Sequence, residues 1–115
     1  MCKDMYKISI PNKPENIALV RLTASFIASK MNFDIEEIED IRVAVSEACN
    51  IQMGNTENLD INFIREEKEF IIKVKTVNLD MKNGNEFAVM IIETLMDKVE
   101  FTEDEIIINK IFKED

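Results

Sequence analysis

Chemistry in this chain falls to carboxylates, amides, hydroxyls and two thiols, because its 115 residues include no histidine. That absence removes histidine nucleophiles, histidine general bases, phosphohistidine relays and the commonest zinc ligand together. The thiols, Cys2 and Cys49, show no C-x-x-C spacing, so a reduced intracellular compartment is expected. The glycines are two, Gly54 and Gly84. A dinucleotide fingerprint or a P-loop needs several glycines close together to bring backbone amides onto phosphate, and neither can be written with these. The acidic run Glu36, Glu37, Glu39 and Asp40 reads as the solvated first turn of a helix, and no metal site is expected.

Lys and Arg number 14 against 23 Asp and Glu, a formal charge of −9. Nucleic acid and anionic membrane surfaces are poor partners for such a chain, since counterion release and steering both need clustered positive charge. A basic or neutral partner fits better. With 46% hydrophobic and 32% charged residues, residues 1–115 read as one soluble domain. There is no apolar run of about 18 residues, and the opening Met-Cys-Lys-Asp-Met-Tyr lacks the layout of a secretory signal. A cytoplasmic location is expected.

The elements that must position any site can be read from periodicity. Tyr6 to Ile10 alternate and stop at Pro11, which predicts a short edge strand. From Pro14 the period changes: Ile17, Val20, Ala24, Ile27 and Met31 recur at three and four, predicting a helix from Pro14 to about Met31. Asp34 can cap a second helix with the stripe Ile38, Ile41, Val45, Ala48 and Cys49, stopped by Gly54. Leu59, Ile61 and Phe63, then Phe70, Ile72 and Val74, alternate about the charged turn Glu66-Glu67-Lys68-Glu69, which predicts a hairpin. After the turn signal Asn83-Gly84, the stripe Phe87, Met90, Ile91, Thr94 and Leu95 predicts a third helix. Val99 to Phe101 and Ile106 to Phe112 close the chain as a second hairpin.

The order β-α-α-β-β-α-β-β predicts an α+β two-layer sandwich, one mostly antiparallel mixed sheet covered by three helices. Ile106-Ile107-Ile108 is apolar on both faces and should lie centrally or under a partner. Of the seven methionines, Met53, Met81, Met90 and Met96 fall among expected core and turn positions, which reads as gap filling.

Three stretches carry a family resemblance: Ile8-Ser-Ile-Pro-Asn-Lys-Pro-Glu-Asn-Ile, then Val20-Arg-Leu-Thr, then Ile38-Glu-Asp-Ile-Arg-Val-Ala-Val-Ser-Glu-Ala-Cys49. They are similar to the first half of the anti-sigma factor serine kinases, bacterial partner-switching regulators of transcription. Met90-Ile-Ile-Glu-Thr-Leu-Met-Asp-Lys-Val-Glu100 resembles the last helix of that family and the strand after it. The resemblance implies a histidine-kinase-like ATPase fold and a homodimer that binds a sigma factor or an anti-anti-sigma protein. Active members hold ATP and magnesium between the second helix, the third helix and a glycine-rich lid.

The resemblance makes Glu47 the remnant of the family's general base. The family places a magnesium-holding Asn four residues further on, where base and amide share a helix face. Ile51 stands there, and Asn50 is one position early, about 100° away around the helix. The Asp-x-Gly-x-Gly turn that reads adenine is replaced by Asn78-Leu79-Asp80-Met81-Lys82, which leaves Asp80 as the remnant adenine reader. The second glycine cluster reads Asn85-Glu86-Phe87-Ala88-Val89, and the lid between the motifs is missing. Arg21 lies on the helix that the family turns toward its sigma factor and is the candidate partner contact.

The expectation is therefore a degenerate, pseudo-ATPase member that binds a sigma factor or anti-anti-sigma partner and needs no cofactor. One alternative is an active serine/threonine kinase that uses Glu47, Asn50 and Asp80 with ATP and magnesium. Another is a structural dimeric scaffold with no sigma-related partner.

Overall fold

The computed structural model describes residues 3–77 and 84–113. The alternation around Ile8 and Ile10 forms strand β1, Asp4–Pro11. It pairs with one neighbour only and is an edge strand, where the missing N–H of Pro11 costs no ladder bond. Pro14 opens a single 3-10 turn, Pro14–Asn16, that runs into helix α1, Ile17–Lys30. The three-and-four stripe is the buried face of α1: Ile17, Val20, Ala24, Ile27 and Ala28. Asn32, at φ 66°, reverses the chain in the left-handed region that asparagine tolerates.

Asp34 then caps helix α2, Ile35–Ile51. Its Oδ1 accepts from the Glu37 amide at 2.7 Å, and Glu37 Oε1 accepts from the Asp34 amide at 2.9 Å. This reciprocal capping box contributes about 1 kcal/mol. Gly54, at φ +88°, lies in the turn beyond the helix end.

The hairpin forms as strands β2, Asn58–Arg65, and β3, Glu69–Lys75. Helix α3 is Glu86–Leu95, and the closing hairpin is β4, Lys98–Phe101, with β5, Glu105–Ile111. The sheet order is β1-β2-β3-β5-β4, with every ladder antiparallel. The mixed sheet of the sequence reading gives way to this arrangement because β5 folds back from β4 and inserts beside β3. Strands β3 and β4, which run the same way, are thereby kept apart. As expected, the doubly apolar strand β5 is interior to the sheet, with Ile106 and Ile108 fully buried.

One cross-strand row, Ile8, Ile61, Val74, Ile106 and Phe101, faces the helices and floors the core. Helix α2 packs on β3 and β5 and is flanked by α1 and α3, completing the two-layer α+β sandwich. Lys110, on β5, is 8% exposed. Its Nζ donates to the Leu95 carbonyl at 2.7 Å and lies 3.6 Å from Asp40 Oδ2, which ties the end of α3 to α2 and the sheet.

Helix α3 departs from the sequence reading. Its fully buried residue is Ile92, whereas Phe87 and Met90, two members of the expected inward stripe, are exposed. Spacing could not fix the phase, because residues 87–92 read Phe-Ala-Val-Met-Ile-Ile and any rotation buries an apolar face. Gap filling accordingly describes Met96, which is buried, and Met53, which packs on the core, but not Met90. Met81 lies outside the described residues.

Candidate functional site

Helices α1 and α2 pack side by side, and their shared surface carries a hollow of about 260 Å³ lined by Arg21, Glu39, Arg42, Val43, Ser46 and Glu47. Arg21 comes from α1 and the others from α2. Glu39, Arg42 and Ser46 recur at three and four along α2, which stacks them on one helical face. Two residues singled out for separate roles, Glu47 and Arg21, thus line one surface.

Charge within the hollow is only partly spent. Arg42 Nη1 lies 3.3 Å from Glu39 Oε1, and Ser46 Oγ donates to the Arg42 carbonyl at 2.8 Å. Arg21 and Glu47 are each half-buried, and among the described residues neither takes part in a salt bridge or side-chain hydrogen bond. A guanidinium with five donors and a carboxylate with two acceptor oxygens therefore line the same hollow with their hydrogen-bonding capacity unspent. Arg42 and Ser46 were missed from sequence; the signal available for them was the Glu39-Arg42-Ser46 spacing.

The other candidates do not join this group. Asn50 is exposed and lies outside the lining of the hollow. Ile51, one turn beyond Glu47, is 6% exposed and belongs to the hydrophobic core. Its side chain offers no ligand atom for magnesium. Asp80 lies outside the described residues, as does the rest of its proposed adenine-reading turn.

Strand β3 ends at Lys75 and α3 begins at Glu86, so ten residues connect them. Thr76 starts this link pinned: its amide donates to the Asp104 carbonyl at 2.7 Å and its hydroxyl to that of Glu103 at 3.2 Å. At the far end, exposed Glu86 occupies the first turn of α3. Helix amides there would favour an anion, and the carboxylate already present opposes a second one.

Cys49 is buried in α2, and burial pushes its thiol up to about 12, which excludes thiolate chemistry near neutral pH. Among the described residues no group of three or more Cys, Asp or Glu side chains could hold a metal ion, and no helix is long and apolar enough to cross a membrane.

An antiparallel sheet backed by three helices, with Glu47 on the middle helix, agrees with the histidine-kinase-like ATPase fold that the family resemblance implies. No protein-family model matches the sequence. The serine-protein kinase RsbW of Bacillus pumilus is 30% identical over 125 residues, covering 84% of this chain and 77% of that protein. RsbW of Halalkalibacterium halodurans is 31% identical over 123 residues, covering 85% of this chain and 75% of that protein. RsbW of Bacillus subtilis shares 46% identity over a 46-residue stretch, 40% of this chain and 29% of its own. The chain belongs to the RsbW family of anti-sigma factor kinases.

Since 84% of 115 residues is about 97, about 28 of the 125 positions aligned with the Bacillus pumilus protein have no residue in this chain.

Proposed function

We propose that this family member works by protein binding alone, holding a sigma factor or an anti-anti-sigma protein at the α1–α2 hollow, with nucleotide binding lost. The observation that carries the reading is Ile51. The position four residues after Glu47 is filled by a side chain of the hydrophobic core, so a metal-holding amide has no counterpart there. Two further observations support it: Glu86 stands at the start of α3 where phosphate would need bare amides, and ten residues span β3 to α3. The described residues do not compose a cradle for magnesium and ATP, and transfer of a γ-phosphate needs one. Without a bound nucleotide there is no phosphoryl donor, so a base at Glu47 has no transfer to assist, and it serves instead beside Arg21 as a polar contact for the partner. The protein acts in the cytoplasm as a homodimer.

The test is capture of purified sigma factor and anti-anti-sigma protein of the same genome by the tagged protein without nucleotide. One of them is retained, and Arg21→Glu weakens retention by about tenfold or more, the size expected for a hot-spot charge. Unchanged retention by Arg21→Glu overturns α1 as the contact. Retention of neither partner returns the protein to a scaffold, and phosphate transfer to a partner serine that Glu47→Ala abolishes makes it a kinase.

A further inference from the structure

Helix α3 is apolar around most of its circumference, yet Ile92 is its one fully buried residue. A helix of that composition is normally enclosed on every side. Here Phe87 is 70% and Met90 53% exposed, and Ile91 is half-buried. Met90 and Ile91 stand three and four residues after Phe87, so the three form one ridge on the outer face. Single exposed apolar residues need no explanation; a contiguous ridge on one helix does. Along its edge run Glu86 and Glu93, seven residues apart and both exposed. Among the described residues neither carboxylate is engaged in a salt bridge.

We propose that this face of α3 docks a basic amphipathic helical segment of another protein. The ridge of Phe87, Met90 and Ile91 takes the apolar stripe of the segment, and Glu86 and Glu93 meet its lysines or arginines. Charge selects this occupant. A second copy of the chain would bring the same acidic edge, Glu86 and Glu93, to this contact, which is locally repulsive. The exposed ridge of α1, Leu19, Leu22 and Phe26, is bordered instead by Arg21 and Lys30, with Lys30 Nζ 5.4 Å from the Phe26 ring centre, and suits a partner of opposite charge. The α3 face is separate from the α1–α2 hollow and stands whether or not nucleotide binding is lost.

The probe is a fluorescent synthetic peptide of leucine and lysine at amphipathic helical spacing, titrated with the 115-residue protein and read by anisotropy. A scrambled isomer of identical composition and charge controls for bulk attraction to an acidic protein. The native protein binds the patterned peptide about tenfold more tightly than the scrambled one. Phe87→Ser and Met90→Ser each remove that preference, Glu86→Lys with Glu93→Lys weakens binding and flattens its salt dependence, and Leu22→Ser changes nothing. Equal affinity for the two peptides overturns the proposal, as does loss on Leu22→Ser with Met90→Ser unaffected. A native dimer that Phe87→Ser converts to monomer in sedimentation also overturns it, by making the face a contact between copies. Should Phe87→Ser fail to fold by circular dichroism, Met90→Ser and the double charge reversal decide.

Discussion

Ile51 stands one helical turn beyond Glu47 on α2; Glu47 opens onto the hollow shared with Arg21, while Ile51 is turned into the core. The two positions that would have to act together on a metal-bound nucleotide thus belong to different environments, one polar and partly solvated, one apolar and closed.

Restoring the amide at that position should therefore harm the fold without gaining a ligand. Ile51→Asn removes buried apolar volume and places an amide among apolar neighbours, at a cost of about 3 kcal/mol. Urea denaturation gives the loss, and titration with magnesium–ATP of the fraction that still folds gives no binding. An Ile51→Asn protein of native stability would show that the surroundings of Ile51 are roomier than its burial in the core implies.

Lys110 tests the tie between α3 and the sheet. Replacing it with methionine keeps most of the volume but leaves the Leu95 carbonyl, now 2.7 Å from Lys110 Nζ, without its donor. The expected loss is about 1–2 kcal/mol. Asp40→Asn, which acts on the more solvated end of the 3.6 Å ion pair, should cost less than about 1 kcal/mol. Urea midpoints of the two variants compare the terms directly.

Asp97 couples the second hairpin to pH. Burial alone would raise its carboxyl, but the hydrogen bond from the Ile111 amide, the one from Lys113 and the positive charges of Lys110 and Lys113 outweigh that and hold it below its ordinary value. A carboxylate depressed in the folded state stabilises the protein above its unfolded pKa, and the contribution disappears as pH falls through the folded one. Asp97→Asn should lower the melting temperature at neutral pH and match the native protein at acid pH, below the usual carboxylate range. Equal differences at both pH values would assign the effect to shape rather than charge.

Cys49 reports on opening of α2. With its thiol buried and pushed up to about 12, it should resist an aromatic disulfide reagent at mildly alkaline pH and react at once in denaturant. Measured on a Cys2→Ser background, the rate of labelling follows the fraction of molecules with α2 open.

Much of the fold was legible because several signals agreed at each point. In α2, the Asp34 cap, the acidic first turn and the Ile41-Val45-Ala48 stripe all place the same helix in the same phase. In α3 the signals could not agree on phase, since apolar residues occupy nearly every side and burial is decided by what α2 and β4 offer to pack against. Insertion of β5 beside β3 was likewise beyond a local reading, because it depends on pairing between segments more than thirty residues apart, such as Ile72 with Ile108. Glu47 and Arg21 could each be nominated from the family resemblance. That they line one hollow follows from the packing of α1 against α2, which no single window of sequence contains.

The central claim is that this family member has given up nucleotide and kept protein binding. Calorimetric titration of magnesium–ATP into the purified protein, beside an active family member as control, tests it most directly. The account predicts no heat of binding up to millimolar nucleotide, while the control binds. Micromolar binding by this chain would contradict it, and loss of that binding in Ile51→Ala or Glu86→Ala would then place the nucleotide beside the residues that this account holds to exclude it.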